Sequence, residues 1–327
     1  MITKAITRLF LLFLLVTFSL TPIASQTHEW DWPYKRKNIA VMNNLSTLQF
    51  YGPYPGYHHG LDLLANGEEE VFAPVSGKVG TGYYYKHKSP YTYEISIELE
   101  DGYRVELHHI DPSSIPEKIE RLAKEGGRIE KGEYLGKIYN STHMNIPMHL
   151  HTNLINPDGY YSNPLHRYPK IADLTSPKIE TIFIAEESEK SFKKISTSHL
   201  LKNPDKKKFL MVKAHDHAGK SDIVLGIYKM EVTLKSSDKE KQLHQFQFDQ
   251  LPEKRFTKGT EIYLSKPISI DGKVVEPGNM NAVRKRNLFY KIPLSTHLEK
   301  FNDENIIEVT AYDFNGNKKI ETFAFSD

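Results

Sequence analysis

Two imidazoles stand two residues apart in His149-Leu150-His151, inside the stretch Pro147 to Leu154. Residues i and i+2 of a strand point the same way. His149, His151 and Asn153 then share one face, while Leu150 and Leu154 can pack into a core. Paired imidazoles on a strand suit a metal or a hydrolytic centre, although the same pattern describes an ordinary half-buried strand. A second cluster lies in Gly56-Tyr57-His58-His59-Gly60-Leu61-Asp62. His58 and Asp62 are four apart and share a face if the segment is extended, and Gly60 permits a close backbone approach to whatever they bind. Its plain alternative is a surface turn with a His–Asp hydrogen bond. A third cluster ends the alternating run Tyr103 to His109. His109 continues the mostly apolar face of Tyr103, Val105 and Leu107, whereas His108 keeps company with Arg104 and Glu106. A polar group on an inward face needs a partner.

Taken together, His58, Asp62 and His151 supply two imidazoles and one carboxylate. Three protein ligands with a fourth position left for water is the catalytic zinc pattern. His109 and His149 remain as imidazoles available for general-base work or for hydrogen bonding a developing oxyanion. No Gly-x-Ser-x-Gly elbow competes with this reading. The chain has no cysteine among its 327 residues, which excludes disulfides, thiolate nucleophiles and cysteine zinc sites. A formal charge of +2 gives no reason to expect nucleic acid.

The elements that must carry these residues read as strands. Tyrosine is frequent, and β-branched and aromatic residues recur between Gly, Pro and Asn clusters. Residues 1–25 have the parts of a secretory signal peptide: Lys4 and Arg8, an apolar run from Leu9 to Leu20, then Pro22, Ala24 and Ser25. The run is short for a membrane span, so the mature chain is expected outside the cytoplasm with no integral membrane segment. Residues 26–172 form the expected first domain. Val71 to Val79 reads as strand, turn and strand, Gly82 to Lys88 as a tyrosine-rich loop, and Ser114 to Lys124 as a short helix. Gly126 to Ile138 reads as a glycine-cornered hairpin. Residues 173–327 hold strand-like runs at 179–185, 209–215, 227–234, 243–248, 283–292 and 306–325, which suggests a β-sandwich. Asp216, His217, Asp313 and Asn315 sit in turns that either are Asx turns or bind an ion. Lys206-Lys207-Lys208 reads as a solvated loop.

The chain resembles the lysostaphin/LytM-type zinc endopeptidases, which cut peptide bonds of bacterial peptidoglycan. The resemblance rests on His58-x-Gly60-Leu61-Asp62, Ala73-Pro74-Val75-x-Gly77-x-Val79, His109, Gly127 to Gly136 and His149-x-His151, in that order over roughly residues 50–165. It implies that His58, Asp62 and His151 hold one Zn²⁺ and that His109 and His149 are the catalytic histidines, with His59 a spacer and His108 the alternative to His109. The fold implied is mostly β, an antiparallel sheet domain with the site in a groove, here followed by an immunoglobulin-like β-sandwich. Peptidoglycan peptides would be the substrate, with a regulatory protein as a possible partner. Thr152 and Asn153 stand where relatives often carry an aromatic residue and a glutamate, and the loop Asn140 to Pro147 lacks their glycine-rich run. The alternatives are a non-catalytic wall-binding or amidase-activating protein on the same domain, and a biotinyl- or lipoyl-type carrier.

Overall fold

A computed structural model describes residues 30–324 apart from 52–53, 85–87, 198–206, 218–221, 238, 253–260, 278–283, 285 and 295–305. The signal-peptide reading, Tyr85 and Lys206 lie outside the described residues. Among the described residues, no helix is long and apolar enough to cross a membrane. The molecule is mostly β, as expected.

Residues 41–162 carry β1 (Val41–Asn43), β2 (Leu48–Tyr51), β3 (Tyr54–Tyr57), β4 (Leu61–Leu64), β5 (Glu70–Phe72), β6 (Gly77–Tyr83), β7 (Tyr93–Glu98), β8 (Arg104–His108), β9 (Arg128–Ile129), β10 (Tyr134–Lys137), β11 (His149–Ile155) and β12 (Tyr161–Ser162). Helix α1 (Glu117–Glu125) follows Pro116, with Ile119 buried, and ends at left-handed Gly126. The main sheet runs β1-β4-β11-β8-β7-β6-β9, with β12 on β11, and its pairs are antiparallel. Alternation places Leu61, Leu63, Ile95, Ile97, Val105, Leu107, Leu150 and Leu154 in one buried core. The opposite face of β4, β11 and β8 is left for polar groups. The glycine-cornered segment is not a hairpin: β9 pairs with β6 while β10 pairs with β5. Ala73 and Glu133 are hydrogen-bonded, so the two short strands diverge to separate neighbours instead of closing on each other.

The later residues carry β13 (Lys178–Glu187), β14 (Phe192–Ile195), β15 (Lys208–His215), β16 (Lys229–Lys235), β17 (Glu240–Gln247), β18 (Ile268–Ile270), β19 (Lys273–Val275), β20 (Phe289–Pro293), β21 (Ile306–Tyr312) and β22 (Lys318–Ala324). They form one sheet ordered β19-β18-β14-β13-β15-β20 and another ordered β17-β16-β21-β22. Ile184, Leu210 and Val212 of the first meet Met230, Val232, Ile307 and Val309 of the second in one core. This is a two-sheet sandwich, compatible with an immunoglobulin-like unit. Strands β14, β18 and β19 escaped the sequence reading because they are only three or four residues long, and β14 pairs with β18 in parallel. Lys208 is fully buried at the start of β15, not solvated.

The β2–β3 hairpin belongs spatially to the later residues. Leu45, Leu48 and Tyr57 pack into the sandwich core, and Tyr57 meets Phe248 and Tyr263 edge to face. In return Ile223 and Leu225 pack into the core of the main sheet.

Candidate metal centre and active site

Strand β11 lies between β4 and β8, and the register sets His151 opposite Asp62 on one side and His108 on the other. Directly opposed residues of antiparallel neighbours share a face, so three chemistry-bearing side chains line up across the sheet. His58 arrives differently. It sits in the connection between β3 and β4, not on Asp62's strand, and the chain turns at Gly60. The shared-face reading of His58 and Asp62 was therefore wrong in its reason, although the two side chains meet. Gly60 approaches β11 rather than a bound group: a Cβ there would lie 2.2 Å from Thr152 O and 2.6 Å from Asn153 Oδ1.

His58 Nε2 lies 3.0 Å from Asp62 Oδ1 and 3.0 Å from His151 Nδ1, and His151 Nδ1 lies 2.7 Å from Asp62 Oδ1. His58 is 1% and Asp62 5% exposed. Burial pushes the His58 imidazole below its ordinary value, more than Asp62 beside it raises it. Burial alone would raise the Asp62 carboxyl, but the neighbouring His58 and His149 imidazoles hold it well below the usual carboxylate range.

The outer nitrogens decide what the inner ones can do. His58 Nδ1 lies 3.1 Å from Asn44 O, a carbonyl, and so donates to it. His151 Nε2 lies 2.7 Å from Asn153 Oδ1. Asn153 Nδ2 donates to Glu106 Oε2 at 3.0 Å, which fixes the amide with its oxygen toward His151. Both rings then carry their proton on the outer nitrogen. In the neutral rings the inner nitrogens are lone pairs, and they face an ionised carboxylate. Three lone-pair atoms this close repel one another unless a cation lies between them. Two imidazoles, each oriented by a further partner, and an ionised carboxylate fit zinc.

His109 and His149 flank this centre. Their rings are 4.8 Å apart, and His149 Nε2 lies 3.8 Å from Asp62 Oδ1. His109 Nδ1 donates to Tyr91 O at 2.7 Å, and the Tyr91 ring stacks on it at 3.9 Å. His149 Nδ1 donates to Pro147 O at 2.7 Å. In the neutral ring, donation from Nδ1 leaves Nε2 as the acceptor nitrogen. Burial, then His149, pushes the His109 imidazole well below its ordinary value.

His109 is not on the inward face of β8. The strand ends at His108, and His109 adopts a left-handed φ of 66° that breaks the alternation and returns its ring to the side of His108 and His149. His108 serves the supporting layer: its Nε2 lies 3.1 Å from Asn153 Nδ2 and its ring faces Tyr84. Glu94, Glu106 and His108 also bring ligand atoms within 4.8 Å of one another. Asn153 already engages both Glu106 Oε2 and His108 Nε2, so this trio props the centre instead of duplicating it. His59 stacks on Tyr161, away from the centre.

Several supporting residues gave no sequence signal. Asn44 orients His58 from a turn held by the later residues. Its Nδ2 donates to Gly226 O at 2.8 Å, and Gly226 N donates to Asn44 Oδ1 and Thr47 Oγ1 at 3.2 Å. Buried Arg286 donates to Met42 O, Asn43 Oδ1 and Val224 O, which binds β1 to the same loop. Asn153 did share the predicted face of His151, and that adjacency was its only clue.

Residues 56–164 match the family model described as Peptidase family M23. No curated protein matches the chain. Among solved structures, the catalytic domain of the antimicrobial peptidase lysostaphin from Staphylococcus simulans is 23% identical. It covers 37% of this chain and 90% of its own, with a TM-score of 0.27. A catalytic-domain mutant of the prophage-encoded M23 protein EnpA from Enterococcus faecalis is 20% identical, covering 41% and 94%, with a TM-score of 0.29. The SpoIIQ–SpoIIIAH pore-forming complex contains a chain 20% identical, covering 43% and 92%, with a TM-score of 0.34.

Proposed function

We propose that this chain, whose residues 56–164 match the model of peptidase family M23, is an exported zinc endopeptidase that hydrolyses peptide bonds in bacterial peptidoglycan. The peptidase unit spans residues 26–172 behind a signal peptide at 1–25, and residues 173–327 are an accessory sandwich. The observation that carries the proposal is the inward lone-pair triad of His58 Nε2, Asp62 Oδ1 and His151 Nδ1, each oriented from behind or ionised.

His58, Asp62 and His151 would hold the ion. When bound, zinc supplies Lewis-acid polarisation of a carbonyl and lowers the pKa of a water toward neutrality. The other work falls to this chain's own groups. An Nε2 of the His109–His149 pair, the acceptor nitrogen of a neutral ring whose Nδ1 donates to a backbone carbonyl, accepts a proton from the attacking water and returns it to the amine nitrogen released as the C–N bond breaks. The partner imidazole hydrogen-bonds the substrate oxygen on which negative charge grows. Burial of His109 favours its neutral form, so its Nε2 offers a lone pair at neutral pH. Tyr91 stacked on His109 and Tyr84 near His108 hold the ring planes in place.

The test is digestion of purified sacculi by the mature protein, zinc-loaded and chelated, with fragments identified by mass. The expected result is new amino termini from the zinc-loaded protein only, abolished in His109→Ala. Binding to sacculi with no new termini under either condition would replace the enzyme with a wall-binding protein.

A further inference from the structure

We propose that the joint between the peptidase domain and the sandwich is a calcium site built from Asp173, Asp216 and Asp313. The three carboxylates come from separate places: Asp173 in the linker, Asp216 just beyond β15 and Asp313 just beyond β21. Each offers an oxygen within 4.8 Å of the others. They line one small cavity of about 50 Å³ together with Asn44, Lys170, Leu225, Gly226 and Asn315. That space is enough for an ion with a water or two.

Acidic side chains gather on many surfaces without a ligand, and the decisive feature is inside. Asp216 is 7% exposed, and its Oδ1 has no hydrogen-bond partner among the described residues. A buried carboxylate oxygen without a donor is costly, and a cation bound between the three carboxylates removes that cost. Lys170 lines the cavity but makes no ion pair among the described residues. It therefore does not already play that part.

All three side chains offer hard oxygen ligands, with no imidazole or thiolate, which suits calcium and not zinc. Calcium accepts six to eight oxygens in flexible geometry, so waters complete the shell. Asn315 donates from Nδ2 to Ile171 O, and Asn317 from Nδ2 to Asp173 O, which already ties the β21–β22 turn to the linker. An ion there fastens the linker to two strand ends of the sandwich, beside the Asn44–Gly226 bond that supports His58.

The experiment uses the full mature chain, stripped of metal and reloaded with one equivalent of zinc. It is titrated with CaCl2, and in parallel with MgCl2, by calorimetry and thermal melting. One Ca²⁺ per chain is expected to bind beyond the zinc, and saturation to raise Tm by about 5 °C. Asp216→Asn and the linker variant Asp173→Asn are expected to weaken calcium binding at least tenfold while each keeps one zinc. No heat and no Tm change up to about 10 mM calcium, well above the range for extracellular calcium modules, would overturn the proposal. Unchanged calcium affinity in Asp173→Asn would overturn it equally, and so would equal stabilisation by magnesium. Zinc content is read separately, so a failure here leaves the peptidase assignment untouched.

Discussion

Replacing Asn153 with leucine isolates the layer behind the metal ligands. Asn153 is 4% exposed and similar in volume to leucine, so the change alters bonding more than packing. It removes the 2.7 Å acceptor of the His151 Nε2 proton and the 3.0 Å donor to Glu106 Oε2. Without the acceptor, His151 is free to rotate or to carry its proton on Nδ1, which is the nitrogen facing Asp62. Losing such a partner lowers metal affinity by about 10–100-fold, or roughly 1.4–2.7 kcal/mol. The fold suffers separately. Glu106 keeps Arg104 Nη2 at 2.7 Å on its other oxygen, so the lost bond to a buried carboxylate costs about 1–3 kcal/mol. Zinc affinity is read by competition with a chromophoric chelator, and the fold by urea unfolding of the metal-free protein. Zinc affinity within about threefold of wild type, well short of the expected loss, with the fold intact, would refute the role given to Asn153.

Three further outcomes follow from the same geometry. Gly60→Ala sets a Cβ against the backbone of Thr152 at 2.2 Å, so urea unfolding should show a loss of about 3 kcal/mol, at the upper end for overpacking; a loss too small to measure would mean the turn yields freely. Gly226→Ala places a Cβ 3.0 Å from Thr47 Oγ1 and Tyr263 Oη, and by disturbing Asn44 it should weaken zinc binding about tenfold although Gly226 touches no ligand; unchanged affinity would show that the sandwich does not support His58. Burial, then the charge of Glu106, raises the Glu94 carboxyl to about 7. A group raised in the fold contributes stability below its unfolded value near 4.5 and loses it as pH rises through 7. The shift corresponds to about 3 kcal/mol at full value, and on the order of 1–2 kcal/mol after discounting for partial exposure. Wild type should therefore lose that much more stability than Glu94→Gln between pH 5 and 8 in urea titrations, and parallel curves would contradict the assignment.

What could be seen in the sequence was what repeats along it. The period of two in β11 gave the common face of His149, His151 and Asn153, and the same period gave the core positions Val105, Leu107, Leu150 and Leu154. Local backbone departures were invisible. His109 was assigned to the wrong face because a single left-handed residue ends β8, and Gly60 faces a strand and not a ligand. Pairing was equally hidden where strands are two to four residues long, as in β9, β10, β14 and β18, because the partner is chosen by tertiary packing and not by the turn between neighbours in sequence. The contacts that orient His58 join Asn44 to Gly226 and Asn43 to Arg286, across separations of 182 and 243 residues. No spacing rule reaches that far. Lys208 was misread for a related reason: a run of lysines looks solvated, but its last member starts a central strand of the sandwich sheet.

The most direct measurement is anomalous diffraction at the zinc edge from crystals of the mature protein. One peak is expected per chain, within bonding distance of His58 Nε2, Asp62 Oδ1 and His151 Nδ1, with the His109 and His149 rings adjacent but not bonded to it. A peak at Glu94, Glu106 and His108, or none at the triad in zinc-soaked crystals, would contradict the account.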